Sequence, residues 1–341
     1  MYWQTKKLNR IEKDRIKSQS NKIRLAPALG LFLLAPLIGE FLLGNLPITW
    51  LWVLMTMAPL YGGGALLIRE SARRLKLGWP GMFILGIAYA LVEEALVTQT
   101  LFNPNYLGLR LLDYGYISFF GIGSWWTVFV LGIHTIWSIA VPIALVESFT
   151  PDSRSTPWLS PLALVITAMV FAGGCFVTYT FQQDGSFVIS GIQLIASLLA
   201  VALLVVVAIG IGRIQTRPQS KSKAAPSGSI VAGVAFILSS VFMALAGIVH
   251  QSIPAILNVS GMLGLMTAGS LIFWNWSNRS GWSEKHRLAL VSGLILTYCW
   301  YGFVQVPSVG DTSPLIDLIG NSVFSIGAIL LLVLAWKRSH G

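Results

Sequence analysis

Glu93, Glu94 and His134 are the residues of this chain whose types and placing can do chemistry. A carboxylate beside an imidazole can take a proton from water, store a proton for later release, or join the imidazole as a ligand of a divalent cation. The three sit in runs that are otherwise apolar: Ala90-Leu91-Val92-Glu93-Glu94-Ala95-Leu96-Val97, and Val130-Leu131-Gly132-Ile133-His134. Ionisable side chains in such surroundings are expensive to desolvate, which makes them functional candidates by default.

Runs of this kind recur along the whole chain. Its 341 residues are 55% hydrophobic and 11% charged, with a mean hydropathy of +0.73. Soluble domains carry about 25% charged residues, so more than half of the usual charge is missing. Ten apolar runs fall near 25–44, 50–69, 80–102, 124–146, 159–181, 187–212, 229–250, 254–275, 286–308 and 315–336. Each approaches the roughly 20 residues that a spanning helix needs. None alternates as a barrel strand would, and a helix satisfies its own backbone groups in lipid. The sequence therefore predicts an all-α polytopic membrane protein of about ten transmembrane helices. The first run contains Glu40 and lacks a small-residue cleavage site, so it reads as a retained span.

Charge orients the bundle. The net charge is +10, which could suggest a nucleic-acid partner, but its distribution points to the lipid bilayer instead. The tail 1–24 holds Lys6, Lys7, Arg10, Lys13, Arg15, Lys17, Lys22 and Arg24, and the remaining basic residues fall in alternate loops and at the C-terminus. With that tail inside, only Arg110 of the 23 basic residues lies outside. The positive-inside rule then places both termini in the cytoplasm of a cell whose inner membrane the chain spans. The tail itself reads as an anchor to anionic lipid, with Ile11–Lys17 able to form a short surface helix. The span domain covers 25–336. It contains a flexible cytoplasmic linker near 213–228, rich in Ser, Lys and Ala, and an apolar outer segment near 103–123 that reads as re-entrant or interfacial. Tyr61-Gly62-Gly63-Gly64 suggests close helix packing or a local break. Cys175 and Cys299 lie within spans without metal-like spacing and read as packing residues.

Depth brings the polar residues together. At a rise of about 1.5 Å per residue, Glu94 lies about 12 Å below the outer face and His134, on the next antiparallel span, about 15 Å below it. Adjacent residues on an α-helix point about 100° apart, so Glu93 and Glu94 need not serve one site. Thr98, Gln99, Asn103 and Asn105 continue outward from Glu94 and are candidates to contact a substrate. His250 and Asp317 share the outer half and are candidates to complete a metal site with His134. Glu40, Asn258, Gln305 and Asn321 read as interhelical hydrogen-bonding groups. Arg69, Glu70, Arg73 and Arg74 read as topology anchors at the inner rim, and Glu147 ends its span nearby.

The Glu93-Glu94 pair, followed on the next span by His134, resembles the CPBP family of intramembrane proteases, which includes CAAX-processing endopeptidases and bacteriocin-immunity proteins. The resemblance covers about 80–150. It implies a carboxylate and histidine that organise a catalytic water, with a divalent metal such as zinc as the cofactor. The chain departs from the pattern at Thr98, where the family has arginine, at Val130, where it has an aromatic residue, and in lacking any His-x-x-x-Asn. Two further readings use the same residues: a proton-coupled transporter or exporter, and a noncatalytic immunity or assembly subunit.

Overall fold

The computed structural model describes residues 24–182, 187–214, 220–310 and 312–339. The expected surface helix in the tail, and the middle of the 213–228 linker, lie outside the described residues.

Among the described residues nine helices are long and apolar enough to cross a membrane. They are α1 (Leu25–Leu42), α2 (Ile48–Leu75), α3 (Gly78–Val97), α4 (Ser124–Ser148), α5 (Pro161–Gln182), α6 (Gly191–Ile214), α7 (Gly228–Ile248), α8 (Ala255–Ser277) and, after the next helix, α10 (Pro314–Arg338). The intervening helix α9 (Glu284–Tyr301) completes the ten that the hydropathy predicts. Its first turn, Glu284-Lys285-His286-Arg287, lowers its apolar content, yet its body is among the best-buried in the molecule, with Ala289, Ile295, Thr297 and Tyr298 wholly enclosed.

Helix α4 is the hub. It packs against α1, α3, α8 and α9, and 72% of its apolar window is buried, against 6% for α5 and 11% for α6. The last two flank α2 and α3 respectively and turn residues such as Phe176 and Leu199 outward, as lipid-facing helices do. Small residues set the tightest approaches. A Cβ on Gly293 would fall 2.4 Å from the Ala232 carbonyl oxygen, which fixes α9 against α7, and one on Gly62 would fall 2.0 Å from that of Phe32, which fixes α2 against α1.

Five of these helices widen into π turns: Leu37–Leu42 in α1, Ala58–Gly62 in α2, Val92–Val97 in α3, His134–Ala140 in α4 and Ala244–Ile248 in α7. Such turns arise where a side chain or proline disturbs the regular ladder, and they cluster at functional sites. Tyr61-Gly62-Gly63-Gly64 thus serves both of its expected roles, close approach and local break.

Helix α3 stops at Val97 rather than 102, and α9 at Tyr301 rather than 308. The first stop follows from Gln99, whose φ of 60° lies in the left-handed region that non-glycine residues rarely enter. The outer segment 103–123 is built from turns and a hairpin of β1 (Tyr116–Ile117) with β2 (Ile122–Gly123). The Tyr114 hydroxyl ties it to the α7–α8 connection by donating to the Ile253 carbonyl at 2.6 Å. The linker expected to be flexible contains β3 (Ser220–Ala224), which pairs in parallel with β4 (Arg279–Ser280) between α8 and α9.

The residues expected as rim anchors form instead a buried ion cluster between α2 and α4. Arg69 and Glu70 are fully enclosed and Glu147 nearly so. Arg69 meets Glu70 at 2.5 Å and Glu147 at 3.2 Å, lies over the Trp158 ring, and donates to the carbonyls of Ser153, Arg154 and Thr156. Glu70 accepts from the backbone N–H groups of Trp158 and Leu159. Across the α2–α4 gap their partners lie 78–89 residues on in sequence, so the sequence pattern carries no sign of the pairing.

Candidate functional site

Four of the five π turns converge on one place. They carry Glu40, Tyr61, Glu93 with Glu94, and His134 with Ser138. Every one of these side chains is buried. The wider winding of Val92–Val97 changes the expectation for the two glutamates: instead of diverging, both reach His134. Its Nε2 is 2.9 Å from Glu94 Oε1 and its Nδ1 is 3.3 Å from Glu93 Oε2. Ser138, one turn on in α4, lies 3.1 Å from the same Nδ1. Gly39 makes room for this, since a Cβ there would sit 2.8 Å from the Ser138 hydroxyl.

The two carboxylates are held differently. Both Glu94 oxygens are engaged, one by His134 and the other by the hydroxyls of Thr98 and Thr100. The left-handed turn at Gln99 brings Thr100 back over α3, and Trp126 Nε1 donates to its hydroxyl at 2.9 Å. Glu93 Oε2 makes the longer, 3.3 Å ion-pair contact with His134 Nδ1 but no hydrogen bond of good geometry, and the hydroxyl of its neighbour Tyr89 lacks one too. Buried polar atoms are almost always satisfied, so a carboxylate oxygen held only by this long contact calls for an explanation, such as a catalytic role or a bound water or ion.

Glu40 makes the interhelical hydrogen bond that the sequence suggests, but the sequence does not foretell its link to this cluster. It joins the cluster through Tyr61, whose hydroxyl donates to Glu40 Oε1 and whose ring lies 5.6 Å from that of His134. Its other oxygen accepts from Asn45 Nδ2 at 2.5 Å. Pro36 and Pro59, at the start of their π turns, were the available signals that α1 and α2 depart from regular winding here.

The remaining candidates separate from this cluster. Thr98 stands where the CPBP pattern has arginine, and it caps Glu94. Gln99 is buried and accepts from the Ile189 backbone N–H, linking α3 to the start of α6. Asn103 accepts from the Asn105 N–H in a local turn. These bonds give Gln99, Asn103 and Asn105 structural work. His250 stacks on Trp125 at 4.6 Å beside Tyr114, and burial lowers its pKa. Asp317 lies in the first turn of α10. Neither joins the potential ligand group among the described residues, which is Glu93, Glu94 and His134. Asn258 donates to the Leu245 carbonyl across α7 and α8, as an interhelical bond should.

Three carboxylates and one imidazole cannot all remain ionised at this depth without further positive charge, as bound protons or a cation. Ligand atoms of Glu93, Glu94 and His134 lie within 4.8 Å of one another. Three protein ligands and a free position are the usual donor set of catalytic zinc. With the loosely held Glu93 oxygen, this set fits a divalent metal.

The match between known families and this chain runs over residues 29–304, from α1 to just past α9, and includes every residue of the cluster. The chain belongs to an uncharacterized membrane protein family. That membership establishes a membrane protein and says nothing of the CPBP proteases, so the protease resemblance rests on the local motif. No curated protein and no solved structure matches the chain.

Proposed function

We propose that the protein is a membrane-embedded hydrolase acting on a peptide bond, with both termini and the basic loops on the cytoplasmic side of the cell membrane. The arrangement that supports the chemistry is His134 held between Glu93 and Glu94, closely by Glu94 at 2.9 Å and loosely by Glu93 at 3.3 Å. In this reading Glu93 takes a proton from a water molecule as the oxygen attacks the amide carbonyl carbon. The Tyr89 hydroxyl, which has no hydrogen-bond partner of good geometry, is the group free to donate to the developing oxyanion. Collapse breaks the C–N bond, the proton passes to the leaving nitrogen, and the products are a carboxylic acid and an amine. Glu94 positions His134, and Thr100 positions Glu94. If the site instead holds a divalent metal, Glu93, Glu94 and His134 would be its ligands, and the metal, in place of Glu93 as a free base, would acidify the water and polarise the carbonyl.

The test is reconstitution in proteoliposomes with a library of membrane-inserting peptides, reading new termini by mass spectrometry. New termini from wild type but not from His134→Ala or Glu93→Gln support hydrolysis. Wild-type vesicles that yield no new termini over those of the variants overturn it. Metal content of the same preparations should fall from about one per chain to background in His134→Ala.

Glu40 favours a second reading, a proton-coupled carrier. From Glu40 a hydrogen-bonded series runs through Asn45 to the exposed Ser308, which donates to Asn45 Oδ1 at 2.6 Å. A third carboxylate linked outward suits proton entry better than hydrolysis does. A pH gradient that drives solute uptake, lost in Glu40→Gln, would select this reading.

Orientation has its own test. Ser227 and Ser190 are exposed at opposite ends of the bundle. Single cysteines there, with Cys175 and Cys299 replaced by Ala, should react with an impermeant maleimide from the cytoplasmic side and the external side respectively. External labelling at 227 reverses the assignment.

A further inference from the structure

Most arginines at the basic end of the bundle are committed to acids. Arg69, Arg73 and Arg74 pair with Glu70 and Glu147, and Arg154 and Arg287 pair with Glu284. Arg24, just before α1, and Arg338, at the end of α10, make no ion pair among the described residues. Both line one open surface cavity of about 210 Å³, bordered also by the turn Phe149–Ser153 that follows α4. The cavity contains one acid, Asp152, exposed and equally unpaired.

We infer that this cavity binds the headgroup of a phospholipid, with a phosphate between Arg24 and Arg338 and a primary ammonium at Asp152. A guanidinium matches phosphate oxygens in two parallel hydrogen bonds, and two of them facing one cavity make a phosphate site that a single lysine would not. Asp152 opposes a purely anionic ligand and favours one that carries a cation beside its phosphate, as an ethanolamine headgroup does. The volume lies below that of sites for drug-sized ligands and suits a headgroup alone. Chains then need an apolar path. About one turn deeper on the same two helices, Leu29 on α1 and Leu334 on α10 are half-exposed and offer apolar surface for acyl chains. A soluble phosphate ester would use the cavity without that path.

Occupancy would join the first and last spans and the end of α4 at one point. The family match runs over residues 29–304 and so leaves out both arginines of the pair, Arg24 before it and Arg338 after it. The inference does not depend on the hydrolase reading.

Full-length protein in nanodiscs of equimolar phosphatidylethanolamine, phosphatidylglycerol and phosphatidylcholine would be released and analysed by native mass spectrometry. Wild type should retain one phosphatidylethanolamine, enriched severalfold over its bulk share. Arg24→Gln with Arg338→Gln should reduce retention about thirtyfold, the combined effect of two interfacial basic residues on an anionic group. Asp152→Asn should keep a bound lipid but shift preference to phosphatidylglycerol. Arg338→Lys, which keeps the charge and loses the fork, guards against a folding artefact and should fall between wild type and the double variant. Lipids retained in bulk proportion, or enrichment unchanged in the double variant, would overturn the site. Displacement of the lipid by millimolar phosphoethanolamine, with inorganic phosphate inert, would identify a soluble ester as the ligand and overturn the lipid assignment.

Discussion

Replacing Arg69 by Met should cost the protein about 3–5 kcal/mol, the usual penalty for removing one partner from a buried ion network. The substitution keeps length and apolar volume, so packing against Trp158 survives in part. What it removes is the charge shared by Glu70 and Glu147 and the donor to three carbonyls of the 153–156 turn. Glu147 keeps Arg73, which holds both of its oxygens at 2.8 and 2.5 Å, and Glu70 keeps two backbone N–H groups. The damage should therefore concentrate in the α4–α5 connection, with faster proteolysis at 150–160 as its signature. Arg69→Lys retains a charge but not the fork, and should lie between. Adding Glu147→Gln to Arg69→Met should deepen the loss, because it also takes from Arg73 the carboxylate that holds it at both oxygens. Thermal unfolding in detergent checks the series. An Arg69→Met protein that melts with wild type would show that the cluster is dispensable for folding.

How far the sequence could see follows from what each feature depends on. Ten helices and their alternating basic loops depend on composition over about 20 residues, which survives any local irregularity, and α9 was legible even with a charged first turn. The meeting of Glu94 with His134 depends on axial rise, and π turns alter rise too little over a few residues to spoil the match in depth. Rotation about the helix axis is another matter. One π turn redirects every side chain beyond it, so an angle taken from regular winding separated Glu93 from Glu94 and left Glu40 among the isolated polar groups. Prolines at 36 and 59 warned of irregularity without giving its direction. The Arg69 cluster was hidden for a different cause: its partners in the 147–159 stretch come from a connection whose path composition does not specify. His250 and Asp317 were placed at the right depth, but depth alone does not choose a helix, and both face other neighbours.

Glu93 offers the sharpest test of the site, because stability and function should move in opposite directions. In the native cluster Glu93 Oε2 is buried with no hydrogen-bond partner of good geometry, beside a Tyr89 hydroxyl that also lacks one. An amide at this position removes the charge and supplies N–H groups that Tyr89 oxygen can accept. Relief of an unsatisfied buried group is worth about 1–3 kcal/mol, so Glu93→Gln should melt above wild type. Loss of a general base should at the same time lower turnover by about 10²–10⁴-fold. Glu94→Gln should differ. Its carbonyl can still accept from His134 Nε2, and its N–H groups can donate to the Thr98 and Thr100 hydroxyls, so stability should stay near wild type. Turnover should fall less than in Glu93→Gln, because His134 remains placed. A protein folded only for stability would not keep the less stable of two nearly isosteric side chains at 93, whereas one that needs a base there would. Melting of the two variants in detergent, with peptide cleavage or host complementation measured on the same preparations, decides the matter. A Glu93→Gln protein that is more stable and fully active would assign the carboxylate no chemical role, and one that is less stable would show that Glu93 is a structural partner of His134.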